Sequence, residues 1–243
     1  MTVAPAYRLL DAGERALVVE FGTAVDPAIN GQVLALDAAF VAAAIAGVRE
    51  TVPTYRSLMI HYDPLVISRE DLVARVEKFE AAHPAAPTAK AVWTFPCCYD
   101  PAIAEDIFEL AALVNLDAAD VARIHASGVY RAYMYGFAPG YCYLGGLPQA
   151  LVVSRRATVR LPTPENSVLV GGGLSLVATF SMPTGWYVTG RTPERMFAPH
   201  RDRPFLVDVG DELRFEAIDA QTFAALDARA AAGETVAMRE ALA

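Results

Sequence analysis

The chain of 243 residues is 54% hydrophobic and carries a formal charge of −8, enough apolar material for one large or two modest cores. That acidic balance excludes a general nucleic-acid binder, which needs a basic face against phosphates. Charges, Pro or Gly interrupt every apolar stretch before about 18 residues, which excludes a membrane-spanning helix, and the opening MTVAPAYRLLDAGER lacks the basic-then-apolar order of a secretory signal, so the expected compartment is the cytoplasm.

In chain order, residues 16–21 (ALVVEF) form a short apolar run suited to a strand. Asp26-Pro27 then starts a helix, a capping carboxylate followed by a residue whose φ is already helical. Ile29, Val33, Leu36, Phe40 and Ala44 share one face of it, and Gly47 is placed to close it. Two extended runs follow at 48–53 and 57–62. Ser68 and Asp71 open a second helix with Leu72, Val73, Val76 and Phe79 inward. A final run at 91–97 can return as a strand. The order β-α-β-β-α-β predicts a ferredoxin-like α/β domain, with residues 7–10 as an extra edge strand. The stretch AAHPAAPTAK cannot continue a helix past Pro84 and Pro87, which sets domains of 1–86 and 87–243.

In the second domain, Asp100-Pro101 predicts a helix through Ile103, Ile107, Leu110 and Val114 to Asn115, and Asp117 a shorter one through Val121, Ile124 and His125. Beyond Ser127-Gly128 come short strands at 129–135, 167–170, 174–180, 186–189, 205–207 and 212–217, separated by Gly and Pro. That pattern predicts a closed or nearly closed barrel. Residues 221–243 are alanine-rich and read as a terminal helix. The fold class is therefore α+β, an α/β domain followed by a β-barrel domain.

The chemistry-bearing candidates cluster at 130–147, YRAYMYGFAPGYCYLGGL. Its glycines permit positive φ and Pro139 fixes the chain direction, so loop amides could approach a ligand closely. The competing reading is a tight barrel corner filled by aromatics. Substrate-binding candidates are Tyr133, Gly136, Phe137, Pro139, Gly140, Tyr143, Gly145, Gly146 and, beyond the segment, Arg155. Arg155, Arg156 and Arg160 carry guanidinium forks suited to a carboxylate, a phosphate or a carboxybiotin group, against the alternative of a solvated face. Arg191, between turn residues in Gly-Arg-Thr-Pro, is the other anion-binding candidate. His125 is the candidate for proton transfer, against a packed or capping role. Gly171-Gly172-Gly173 lacks the Gly-Lys-Ser/Thr ending of a phosphate loop. The cysteines Cys97, Cys98 and Cys142 lack metal-ligand spacing, so no metal site is expected, and reduced thiols fit their odd number.

Several of these pieces also match a known pattern. Gly13-Glu14-Arg15-Ala16-Leu17, Pro53-Thr54-Tyr55-Arg56-Ser57, His61-Tyr62-Asp63-Pro64, His125, the 130–147 segment and Gly190-Arg191-Thr192-Pro193 occur in order. On these the chain resembles the KipI / allophanate hydrolase subunit 1 family, which includes the B-type subunits of 5-oxoprolinases, and looks like part of the carboxyltransferase region of urea carboxylases. The resemblance implies a cyclophilin-like barrel for the second domain and catalytic roles for His125 and Arg191. It further implies ATP-dependent opening of the 5-oxoproline lactam by a complex, the chain being inactive alone. The partners would be an allophanate hydrolase subunit 2 homologue and a LamB/YcsF-type subunit, with ATP used at the level of the complex. Two alternatives accompany it: carboxyl transfer to urea or an amide, with biotin carried on a partner, and inhibition of a sensor histidine kinase. The chain departs from the pattern at Leu174, where a glutamine is usual, and at Ala178-Thr179, where tyrosine-proline is usual. The first change removes a donor and an acceptor on which ligand choice can rest.

Overall fold

The structure, a computed structural model, describes residues 7–82 and 89–242. Contacts divide the chain into two units at residues 88 and 89. Most of the predicted boundary stretch, 83–88, lies outside the described residues.

The first unit places strands β1 (Arg8–Asp11), β2 (Ala16–Glu20), β3 (Val48–Pro53) and β4 (Ser57–Tyr62) in the order β1-β2-β4-β3, every neighbour antiparallel. Helices α1 (Pro27–Ala43) and α2 (Arg69–Ala81) carry the rest of its core. The Asp26 carboxylate accepts from the N–H groups of Ala28 at 2.7 Å and Ile29 at 3.1 Å, as the capping pattern requires. Leu17, Val19, Val33, Leu36, Leu58, Ile60, Leu72 and Val76 are buried together. Helix α1 ends earlier than expected, at the left-handed Ala44, and Gly47 serves the following turn at φ 91°, where an added Cβ would lie 2.7 Å from Ile67.

The expected closing strand of this unit lies elsewhere. Residues 91–98 form β5 (Ala91–Cys98) of the second sheet, and β1 takes the edge beside β2 instead. The reason is visible in its burial: seven of its eight residues are buried, the continuous pattern of a strand covered on both faces rather than an alternating one.

The second unit continues with α3 (Ile107–Val114), α4 (Ala118–Ala126), β6 (Tyr130–Tyr135), β7 (Cys142–Gly145), β8 (Ser167–Gly171), β9 (Leu174–Ala178), β10 (Tyr187–Arg191), β11 (Glu212–Ile218), α5 (Ala220–Ala231) and β12 (Met238–Ala241). Strand order β10-β8-β9-β7-β6-β11-β5 returns to β10 through the Arg191–Cys98 pairing. The result is a closed barrel of seven strands, consistent with the cyclophilin-like expectation. Strand β5 runs parallel to β11 along seven paired residues, and β12 pairs antiparallel with its first half. The alanine-rich tail is thus a helix only to Ala231, after which the chain turns at Gly233 and adds a strand. The predicted helix at Asp100 is delayed to Ile107, and the predicted strand at 205–207 reduces to a single bridge between Phe197 and Phe205. No helix among the described residues is long and apolar enough to cross a membrane.

The seam between β11 and β5 is fastened by a buried carboxylate. Asp211 Oδ1 accepts from Lys90 N at 2.9 Å and Ala91 N at 3.1 Å, and its Oδ2 from Trp93 Nε1 at 3.1 Å and Asp208 N at 3.3 Å. Replacing it by alanine leaves these donors buried without an acceptor. Asp211→Ala is expected to cost about 3 kcal/mol or more, read as a lowered urea midpoint at an unchanged slope.

Candidate site on the outer face of the barrel

The family-type segment folds as a corner. Strands β6 and β7 pair antiparallel, and the chain between them is drawn tight by Gly136 N–H donating to Tyr141 O at 3.2 Å and Tyr141 N–H to Ala138 O at 3.1 Å. Ala138 N–H turns back to Gly136 O at 2.9 Å, so these three amides are spent within the loop. Gly140 sits at φ 77°, and an added Cβ would lie 2.2 Å from the Phe197 Cβ. Thr179 Oγ1, one residue beyond β9, donates to Pro139 O at 2.6 Å and clamps the same turn. The departure from tyrosine-proline at 178–179 therefore meets the loop directly.

The remaining glycines of the string answer to packing. A Cβ on Gly145 would overlap the buried Tyr133 ring at 1.7 Å, and Gly146 lies at φ 91°, with Val129 O 2.3 Å from where its Cβ would stand. Tyr133, Gly145 and Gly146 are thus internal. Phe137, itself at φ 72° and largely exposed, projects from the corner and meets Tyr141 at 5.8 Å between ring centroids.

Beside this corner lies a groove of about 340 Å³ on the outer face of β7, β8 and β9. Alternate residues of the hairpin point to opposite sides: Val168, Val170 and Val177 into the barrel, Leu169, Leu174 and Leu176 outward. Leu169 and Leu176 floor the groove, and Phe137, Tyr141, Tyr143 and Trp186 form aromatic walls. Tyr143 meets the Trp186 ring edge-on at 6.1 Å. Leu174 packs into this outer apolar cluster next to Trp186, where a glutamine amide would need a polar partner.

The strap of residues 154–163 completes the rim. Arg156 pairs with Asp106 at 3.1 Å and Glu109 at 2.5 Å and stacks on Tyr187 at 4.3 Å. Arg160 pairs with Asp106 and Glu105. Arg155 differs: its guanidinium lies over Trp186 at 5.1 Å, and it has no carboxylate partner among the described residues. Thr163, held between Pro162 and Pro164, lines the groove, and its buried hydroxyl has no partner among the described residues. Sequence reasoning missed Thr163, Trp186, Tyr141 and the anchor Asp106. The one available signal was the threonine between two prolines, a rigid polar position.

The two residues given catalytic roles stand elsewhere. His125 is fully buried in α4, with Nδ1 2.8 Å from Tyr99 Oη and Nε2 3.4 Å from Ser175 Oγ, its ring packed on Tyr130 and Phe215. Burial lowers its pKa to about 3, so it is a neutral core imidazole at physiological pH and does not line the groove. Arg191, at the end of β10, lies over Phe223 at 5.2 Å and donates from Nε to Glu165 O at 3.2 Å. Burial lowers its pKa, and it too is absent from the groove walls. All three cysteines are buried thiols, and burial pushes Cys142 up to about 12, which removes it as a nucleophile at neutral pH.

With this geometry in place, residues 7–207 match the carboxyltransferase domain, subdomain C and D. The chain belongs to that family. Among its relatives, the 5-oxoprolinase B subunit of Bacillus subtilis is 28% identical over 231 residues, covering 89% of this chain and 95% of that protein. The Escherichia coli O157:H7 protein of the same name is 35% identical over 146 residues, 60% of this chain and 66% of its own length. Among solved structures, the protein TTHA0988 matches with a TM-score of 0.75 at 30% identity, over 85% of this chain and 40% of that one. The urea carboxylase of Kluyveromyces lactis matches with a TM-score of 0.79 at 17% identity, over 97% of this chain and 24% of that one, a likeness of fold. Within this carboxyltransferase-type unit, the family string at 136–147 is a conformational requirement first and a wall of the groove only through Phe137, Tyr141 and Tyr143.

Two outcomes follow. Gly140→Ala forces a side chain into a left-handed turn against Phe197 and is expected to cost about 3 kcal/mol in chemical denaturation. His125 takes up a proton in the unfolded chain near pH 6.5 but in the folded one only near 3. Its contribution to stability is therefore complete above about pH 6.5 and is lost as pH falls from there towards 3. Between about pH 7.5 and about pH 5 the urea midpoint of His125→Gln should fall less than that of the wild type.

Proposed function

We propose that this chain is the B-type subunit of a 5-oxoprolinase, contributing to the ATP-dependent opening of the 5-oxoproline lactam to glutamate. The observation that carries the reading is its colinear relationship to the Bacillus subtilis 5-oxoprolinase B subunit, which spans nearly the whole of both chains. The reaction breaks the lactam C–N bond and adds the elements of water, giving the free amine and a second carboxylate. Amide resonance opposes that step, and coupling to ATP hydrolysis supplies its driving force.

The architecture supports a division of labour between subunits. Gly171, Gly172 and Gly173 belong to the β8–β9 hairpin turn, with φ of 60° at Gly172 and 78° at Gly173, and lead into a strand rather than a helix N-terminus. That is not the shape of a phosphate-binding loop. Use of ATP accordingly falls to a LamB/YcsF-type subunit. The remaining machinery would come from an allophanate hydrolase subunit 2 homologue meeting this chain. His125 is buried too deeply to reach substrate, so proton transfer in this reading also belongs to groups of a partner.

Purified chain combined with those two subunits, 5-oxoproline and ATP should release glutamate, and omission of this chain should abolish release. The activity should be indifferent to avidin, since no biotin enters the reaction. A complete set of subunits that yields no glutamate overturns the reading, and avidin-sensitive carboxylation of an amide would replace it.

A further inference from the structure

Four buried side-chain polar atoms lack a partner among the described residues, and two of them, Thr163 Oγ1 and Arg156 Nε, belong to the walls of the groove beside the family corner. A buried hydroxyl or guanidinium N–H left unpaired costs free energy, which a ligand that bonds to it would recover. The same groove holds Arg155, stacked over Trp186 and without a carboxylate partner among the described residues. Arg156 and Arg160, by contrast, are neutralised by Asp106, Glu105 and Glu109.

The composition of the walls defines a ligand. Trp186 and Tyr143 meet edge-to-face above a floor of Leu169 and Leu176, surfaces that suit a flat, partly apolar ring. The polar groups are chiefly donors: a guanidinium at the rim, an N–H and a hydroxyl in the wall. Donors of that kind call for a carboxylate and an amide carbonyl, and the fork of Arg155 suits the carboxylate. From these observations we infer that the groove is the binding site for a small cyclic amide bearing a carboxylate, with Arg155 holding the carboxylate, Trp186 and Tyr143 flanking the ring, and Thr163 bonding the amide. A rotation about χ1, the torsion that carries the threonine hydroxyl, turns Oγ1 from the wall to the ligand. Arg156, whose Nε also lacks a partner among the described residues, lines the same groove and offers a second donor. Leu174 belongs to the apolar cluster that carries this floor but does not itself line the groove.

The choice of 5-oxoproline as probe rests on the proposed subunit role; the class of ligand rests on the groove. Binding of 5-oxoproline and of 2-pyrrolidinone, the same ring without its carboxylate, is measured on the full chain by ligand-observed NMR and calorimetry. 5-Oxoproline should bind about tenfold or more tightly than 2-pyrrolidinone, and Arg155→Ala should erase that difference. Thr163→Val keeps the shape and removes the unpaired hydroxyl. It should weaken 5-oxoproline about tenfold while leaving the urea midpoint unchanged or higher, a pairing that a purely structural threonine would not give. Binding unaffected by both substitutions, or no binding of either probe to the chain alone and in the complex, overturns the site. The two proposals fail separately. A complex that opens 5-oxoproline with KM unchanged in Arg155→Ala and Thr163→Val retains the subunit role and loses the groove. A chain that binds a different carboxylate-bearing lactam through Arg155, in a complex that makes no glutamate, retains the groove and loses the role.

Discussion

Asp106 is the residue on which the outer face of the barrel depends. Its N–H donates to Val188 O at 3.1 Å and its Oδ2 accepts from Val188 N at 2.8 Å, so it fastens the start of α3 to strand β10 from both directions. The same carboxylate receives Arg160 and Arg156 from the strap that borders the groove. A buried carboxylate is tolerable when charge-assisted bonds satisfy it from several sides, and here they come from a strand and from two guanidinium groups. One side chain thereby ties the strap that carries the rim, residues 154–163, to β10, the strand paired with β8 of the groove floor.

That arrangement sorts three neighbouring arginines by role. Arg156 and Arg160 are held by carboxylates of the α3 region, whereas Arg155 points to Trp186 and keeps its fork available. Among the described residues that line the groove, Arg155 is thus the arginine without a carboxylate partner, in a chain whose overall charge is −8. A negatively charged small molecule is steered by such a local feature even when the whole protein is acidic, because screening limits distant charges to within about 8–10 Å at ordinary ionic strength. The barrel behind it is closed by strand β5, whose parallel pairing with β11 begins at the carboxylate of Asp211. His125 fills the inside of the same barrel against Tyr130 and Phe215, a packing role that its burial and neutral state suit.

Much of the fold was legible before any coordinates. Capping at Asp26, Ser68 and Asp117, the apolar run of β2, the extended runs of β3 and β4, and the Gly/Pro-punctuated short strands each follow from local chemistry, and each is present. Strand β5 was placed in the wrong sheet because a short apolar run states that a segment is buried without stating what buries it. The tail was read as wholly helical because alanine favours helix, whereas β12 forms by pairing with β5, a partner more than 140 residues away in sequence.

The sequence by itself determined the family, through the string around Gly136 to Leu147, and the reason is steric: at Gly140, Gly145 and Gly146 a Cβ would strike Phe197, Tyr133 or the Val129 carbonyl. It also determined that the chain would build an α/β unit followed by a barrel, since turn residues and periodicity act locally. Only the tertiary structure decided which polar groups are free for a ligand. His125 and Arg191 carry suggestive chemistry in one dimension but are committed to the core and to Phe223 and Glu165 O. Thr163 and Trp186, which the sequence does not place near one another, meet Arg155 in one groove because Asp106 holds the strap against β10. Burial and ion pairing are properties of neighbours brought together by the fold, and no residue type or spacing states them in advance.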